Sequence, residues 1–287
     1  MILKALFERI PAVLCQGSWD TDIASIAMCS KEVTNNSLFI CIKGMEQDGH
    51  QYIQEAAERG AAACLVEEAF WKKSASVHGN LKQAEKKTSA YGELKLPEQM
   101  TIVSVQNTRE AAAWAAAAFY RYPSKELKVI GITGTKGKTS TTFMIRDILE
   151  AAGYKTGLLG TIDYEIGEEK KRAERTTPEA IDIQRYLRKM ADSGCRFAVM
   201  EVSSQGLKLH RADGILFDVG VFTNLGRDHI GPKEHKDMAE YAHYKSLLFQ
   251  KCCFGIGNID DPYYREIFKD ASCQVCTYSC RQKADVQ

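Results

Sequence analysis

The stretch Val129-Ile130-Gly131-Ile132-Thr133-Gly134-Thr135-Lys136-Gly137-Lys138-Thr139-Ser140 decides the fold. The apolar run Val129 to Ile132 reads as a strand, and Lys138 to Ala152, stopped by Gly153, reads as an amphipathic helix. A phosphate chain needs backbone N–H groups it can approach closely, a helix N-terminus, a lysine, and a hydroxyl for magnesium. Gly134, Thr135, Lys136, Gly137, Lys138, Thr139 and Ser140 supply these in the required order. The general phosphate-loop spacing asks for glycine at 132, where Ile132 stands, so this loop is a shortened variant. The alternative is a plain glycine turn before a helix. The strand–loop–helix context favours nucleotide binding.

Downstream, strands and helices alternate. Strands are expected at Thr156 to Ile162, Phe197 to Val202 and Phe217 to Thr223. Helices are expected at Pro178 to Ala191, with Thr177 as N-cap, and at Asp237 to Gln250. Such alternation implies a mostly parallel sheet flanked by helices, hence an α/β class. Glu201 closes the strand beginning at Phe197, where ligands of parallel sheets bind, and is placed to hold a metal on the phosphates. A solvated strand-end charge is the other reading. Asn224-Leu225-Gly226-Arg227-Asp228-His229 follows another strand, and for His229 a surface role and a functional one stay equally open. Lys245 falls in line with Met238, Ala242 and Phe249 on an apolar helix face. Its stem would snorkel to water, or its amine would face the nucleotide site.

Upstream, a β-α-β pattern runs through Leu38 to Ile42, the turn Asp48-Gly49, a helix over Ile53, Ala56 and Ala57 closed by Gly60, and a strand at Ala62 to Val66. A polar excursion occupies 67–99, with room for a helical piece, and Thr101 to Val105 returns to this first domain. The domains are expected at 1–106 and 107–287, with the alanine-rich helix Arg109 to Phe119 and Tyr122-Pro123-Ser124 leading into the second.

Lys plus Arg number 38 against 37 Asp plus Glu, so no overall field draws nucleic acid or an anionic membrane. No run reaches the ~18 uncharged apolar residues of a membrane span, and Lys4, Glu8 and Arg9 break up any signal-like start. The expected location is the cytoplasm. Most of the ten cysteines sit singly in apolar runs, as Cys41 and Cys195 do. Cys273, Cys276 and Cys280, with Cys252 and Cys253 upstream, have zinc-like spacing. The segment Gln274 to Tyr278 reads as a strand, which puts Cys276 and Cys280 on one face and Cys273 on the other, poor geometry for one metal.

Taken together, these residues resemble the Mur ligase family, and most closely its tripeptide synthetases. Val33 to Gly44 and Asp48-Gly49-His50 resemble the family's small α/β uridine-binding domain. Gly134 to Thr139 resembles its phosphate loop, and Thr176-Thr177-Pro178-Glu179 its muramyl-peptide turn. Glu201-Val202-Ser203-Ser204 resembles its magnesium-bearing strand end. The resemblance implies ATP-dependent amide formation on UDP-N-acetylmuramoyl-L-alanyl-D-glutamate through an acyl phosphate, with an amino acid as acceptor. Lys138 would then stabilise the transferring phosphoryl group, and Thr139 and Glu201 would hold one Mg2+, with His229 at a second. Lys245 would be carbamylated. Thr176, Thr177, Ser203 and Arg211 would grip the muramyl peptide, and Ser30 the uridine side. The expected oligomeric state is a monomer.

The chain also departs from the family's pattern. Lys136 and Ser140 stand where Asn and Thr are common, Gln205 where His is frequent, and Ile230-Gly231-Pro232-Lys233 replaces a Leu-Asp-Tyr-His-like run. The third, amino-acid-holding domain of a full ligase is expected to be absent, and the central domain incomplete at its carboxyl end. The competing readings are a non-catalytic module that binds ATP and UDP-muramyl peptide, or another ligase of the family. Folylpolyglutamate and cyanophycin synthetases rank lower because they lack the Ser37 to His50 pattern.

Overall fold

The computed structural model describes residues 1–44, 47–78, 98–166, 168–232 and 234–287. The chain divides into two compact units, Met1–Phe119 and Tyr120–Gln287.

In the first unit, α1 (Leu3–Leu6) precedes the strands β1 (Val13–Gln16), β2 (Ser25–Ala27) and β3 (Ser37–Ile40). Then come α2 (Ile53–Glu58), β4 (Ala61–Glu67), α3 (Glu68–His78), β5 (Thr101–Val105) and α4 (Thr108–Phe119). The sheet order is β1-β5-β4-β3-β2, parallel from β2 to β5 with β1 antiparallel at the edge. Every residue of β3 is buried, as expected of a strand with both faces covered. The alanines of α4 are buried too, because a helix with methyl side chains can lie close against α1 and β4. That contact moves the unit boundary. The expected break after Gln106 falls instead after Phe119, since α4 packs on the first unit. The expected helical piece of the excursion is α3, while 79–97 lie outside the described residues.

The second unit opens with β6 (Lys128–Thr133), α5 (Lys138–Ala151), β7 (Thr156–Leu159), β8 (Asp163–Ile166) and β9 (Glu169–Arg172). It continues through α6 (Ala180–Asp192), β10 (Phe197–Glu201), α7 (Ser204–Lys208), β11 (Phe217–Phe222) and α8 (Met238–Ser246). It ends with β12 (Cys252–Asn258), α9 (Tyr264–Ile267) and β13 (Gln274–Tyr278). The order is β13-β12-β11-β6-β10-β7-β8-β9, with β13 to β7 parallel and β8 and β9 antiparallel at the edge. The strand expected to run to Ile162 stops at Leu159, and the chain turns back as β8. Cys280 lies beyond β13, and no three His, Cys, Asp or Glu side chains converge on a metal site among the described residues.

One face of this sheet carries the main core, including Met200, Phe222, Leu248 and Phe249. Gly131, Gly220 and Gly255 stand in register on β6, β11 and β12. A methyl group at Gly131 or Gly220 would come within 3.2 or 3.3 Å of Leu248, and one at Gly255 within 3.1 Å of Phe249. This glycine row lets the turn that follows α8, Leu247–Gln250, settle onto the sheet. The expected helix Asp237 to Gln250 is accordingly α-helical to Ser246 and tightens to 3-10 over Leu247–Gln250.

Candidate active site

The loop Gly134 to Gly137 joins β6 to α5. Gly134 has φ +151, and a Cβ there would sit 1.9 Å from Thr223 Oγ1. Gly137, at φ +85, is the N-cap of α5 and supplies no side-chain cap. The amides of the first turn therefore lack a helical partner and carry the positive end of the helix dipole. Lys138 folds back, its Nζ donating to the carbonyls of Gly134 (2.8 Å) and Thr135 (3.1 Å). Burial lowers its pKa below the usual lysine value. Ser140 is exposed on the same turn.

Glu201 is 1% exposed at the end of β10. Its Oε1 accepts from Thr139 Oγ1 (2.9 Å) and from the Thr161 amide (2.8 Å), and its Oε2 from Thr161 Oγ1 (3.1 Å). A carboxylate and a hydroxyl in contact at the N-terminus of α5 form a hard oxygen donor set. That set fits Mg2+, which takes one or two protein oxygens and completes its shell with phosphates and water. Thr161 escaped sequence reasoning. Its signal was a Gly-Thr pair, Gly160-Thr161, just past a parallel strand, where a Cβ on Gly160 would meet Glu201 Oε1 at 2.7 Å.

Thr176, Thr177, Ser203 and Arg211 come together beside this carboxylate. Thr176 Oγ1 lies 3.0 Å from Thr161 Oγ1. Thr177 does not cap α6, whose N-cap is Glu179. Its hydroxyl donates instead to the Glu201 carbonyl (3.0 Å) and accepts from the Ser203 amide (3.0 Å), tying the two loops together. Ser203 caps α7 through the Gly206 amide. Arg211 donates to the Thr177 carbonyl (3.2 Å) and to Glu179 Oε1 (2.7 Å).

Lys245 is 1% exposed, with Nζ 2.9 Å from the Gly134 carbonyl and 4.5 Å from the Tyr241 ring centroid. Burial, and then Lys138, hold its pKa well below the usual lysine value. The snorkelling alternative is therefore set aside. Lys138, Ser203, His229, Tyr241 and Lys245 line one pocket. His229 is half-exposed at φ 56, and its Nδ1 lies 2.7 Å from Glu234. Among the described residues, no group of three or more His, Cys, Asp or Glu side chains that could hold a metal ion includes it. His235, also missed, is buried in the same pocket with Nε2 2.9 Å from Ser204 Oγ.

Ser30 belongs to the first unit. It is buried, and its hydroxyl donates to Glu55 (2.9 Å). In the Asp48-Gly49-His50 turn, His50 Nε2 accepts from the Glu67 amide while Nδ1 meets Asp48, pinning the loop after β3 to the end of β4. No helix among the described residues is long and apolar enough to cross a membrane.

Residues 132–287 match the Mur ligase middle domain, and residues 22–120 match a domain described as the Mur ligase family catalytic domain. The UDP-N-acetylmuramoyl-L-alanyl-D-glutamate--2,6-diaminopimelate ligase 2 of Clostridium acetobutylicum is 39% identical over 289 residues, covering 100% of this chain and 55% of that protein. The corresponding ligase of Bacillus licheniformis is 39% identical, covering 99% and 54%. The chain thus spans about half the length of the curated relatives it matches. A solved UDP-N-acetylmuramoyl-L-alanyl-D-glutamate--2,6-diaminopimelate ligase superposes with TM-score 0.75 at 22% identity, over 99% of this chain and 54% of its own. MurF from Acinetobacter baumannii superposes with TM-score 0.59 at 20% identity, over 96% and 52%. These two structures share the fold, and the domain matches, which together take in both units, carry the assignment: the chain belongs to the Mur ligase family.

Proposed function

We propose that this chain supplies the ATP site and the UDP-sugar-peptide site of a ligase that extends UDP-N-acetylmuramoyl-L-alanyl-D-glutamate in peptidoglycan synthesis. The observation that carries it is the Thr139–Glu201 contact beside the uncapped terminus of α5, with Lys138 and Lys245 converging on the same loop. The first unit takes the uridine side and the second the nucleotide.

A carboxylate oxygen of the D-glutamate attacks the γ-phosphorus of ATP, the bridging P–O bond breaks, and ADP leaves. The acceptor's amine then attacks the acyl carbon, phosphate departs, and the nitrogen loses a proton. In this scheme Lys138 moves from its backbone carbonyls onto the phosphoryl oxygens, where charge is worth most in a buried site. Thr139 and Glu201 would hold Mg2+, which would supply neutralisation of charge on the phosphates. Thr176, Ser203 and Arg211 orient the peptide, and Thr177 fixes the turn that carries them. The relatives' names give 2,6-diaminopimelate as the added amino acid, and the same acceptor is proposed here.

Lys245 is proposed to carry a carbamate. Its depressed pKa favours the neutral amine that reacts with CO2, and the anion formed would offset the Lys138 ammonium. His229, across the pocket, is the proposed ligand of a second cation.

Calorimetric titration of UDP-N-acetylmuramoyl-L-alanyl-D-glutamate, with and without a Mg–ATP analogue, tests the reading. Saturable binding is expected, and no heat from a folded sample in either arm would overturn it.

A further inference from the structure

We propose that Asn224 is the positioning residue of the phosphate loop: its carboxamide locks two consecutive peptide planes and so aims the Gly137 amide at the incoming phosphates. The inference rests on the nucleotide reading above. Asn224 sits two residues past β11, and its Oδ1 accepts from the Lys136 amide at 3.0 Å. Its Nδ2 donates to the Lys136 carbonyl, also at 3.0 Å. Thr223 Oγ1 donates to that same carbonyl at 2.8 Å, and the Thr135 amide donates to the Asn224 carbonyl at 2.8 Å.

A trans peptide is planar, so the N–H and C=O of one unit point in opposite directions. The carbonyl of Lys136 shares its plane with the amide of Gly137. Holding that carbonyl against Asn224 and Thr223 turns the Gly137 amide the other way. The amide of Lys136 shares its plane with the carbonyl of Thr135. Fixing it on Asn224 Oδ1 turns that carbonyl away, where it accepts Lys138 Nζ at 3.1 Å. One side chain thereby sets both the amide and the ammonium that meet the phosphates. With both lone pairs of the Lys136 carbonyl occupied, flipping the 136–137 plane breaks two hydrogen bonds. Gly137, at φ +85, tolerates the conformation this requires.

This role predicts that the loop is shaped before ligand arrives, which lowers the ordering cost of binding. It is tested in Asn224→Ala, which removes both bonds, and Asn224→Asp, which keeps only the acceptor. Amide hydrogen exchange without nucleotide should show the Lys136 amide protected in the unchanged protein and in Asn224→Asp, and at least tenfold faster in Asn224→Ala. Calorimetry with a Mg–ATP analogue should show both variants at least tenfold weaker, with UDP-N-acetylmuramoyl-L-alanyl-D-glutamate affinity unchanged. If Asn224→Ala does not fold, Thr223→Val removes the second donor to the Lys136 carbonyl and should weaken the analogue three- to fivefold. Nucleotide affinity within twofold in the folded variants, or equal Lys136 exchange in the unchanged protein and Asn224→Ala, overturns the proposal. An unchanged protein that binds no nucleotide while its Lys136 amide stays protected overturns the nucleotide reading, and with it the purpose of the clamp.

Discussion

Lys138 and Lys245 share one acceptor: the Nζ of each donates to the Gly134 carbonyl, at 2.8 and 2.9 Å. Two ammonium groups this close repel each other, and burial removes the water that would screen them. The conflict eases if Lys245 gives up its proton, which is the direction its environment favours.

The linkage sign follows from that depression. Below the folded pKa of Lys245 both states hold the proton and the burial cost is fully present. As pH rises from the folded value toward the ordinary 10.5, the unfolded chain holds a proton the folded one has released, so this contribution to stability increases. Lys245→Met should therefore raise stability at neutral pH by on the order of 1–3 kcal/mol. It should also flatten the rise toward alkaline pH. Denaturant melts at several pH values check both, and an unchanged slope would mean that Lys245 keeps an ordinary pKa.

Carbamylation makes a separate prediction. Bicarbonate should raise the melting temperature of the unchanged protein and add the mass of one CO2 under gentle ionisation, while Lys245→Met responds to neither. A thermal shift series read beside intact mass spectra decides it.

Glu201→Gln keeps the shape of a side chain that accepts from Thr139 and Thr161 but removes its charge. Magnesium should then improve nucleotide affinity by less than a tenth of its effect on the unchanged protein. Calorimetry at stepped Mg2+ concentrations measures this, and an undiminished effect would move the metal elsewhere.

Gly134→Ala places a methyl group against Thr223 Oγ1, where only 1.9 Å is open, in a backbone region that alanine avoids. A loss of about 2–3 kcal/mol is expected from overpacking and strain, together with loss of nucleotide binding. Urea denaturation checks the first part.

The loop from Gly134 to Ser140 was legible because its signal is local: glycine spacing, one lysine and a hydroxyl between a strand and a helix. Lys245 was legible because a charge on an apolar helix face needs a reason. The strand Cys252–Asn258 was not, since glycines such as Gly255 and Gly257 weaken a strand pattern, and their packing role shows only once Phe249 and Phe268 lie over Gly255 and Tyr264 and Phe268 over Gly257. Thr177 looked like a cap because Thr before Pro is a common helix start. Its hydroxyl is drawn to Glu201 and Ser203, 24 and 26 residues away, contacts no local pattern encodes. Thr161 and Asn224 owe their roles to the register of β7, β10, β6 and β11, which places strand ends side by side.

The most direct test of the central claim is calorimetric titration of a non-hydrolysable Mg–ATP analogue into the unchanged chain and into Lys138→Ala. Saturable one-to-one binding by the first, and at least a hundredfold weaker binding by the second, is the predicted result. Equal affinity in the two, or no binding by a folded unchanged chain, would contradict it.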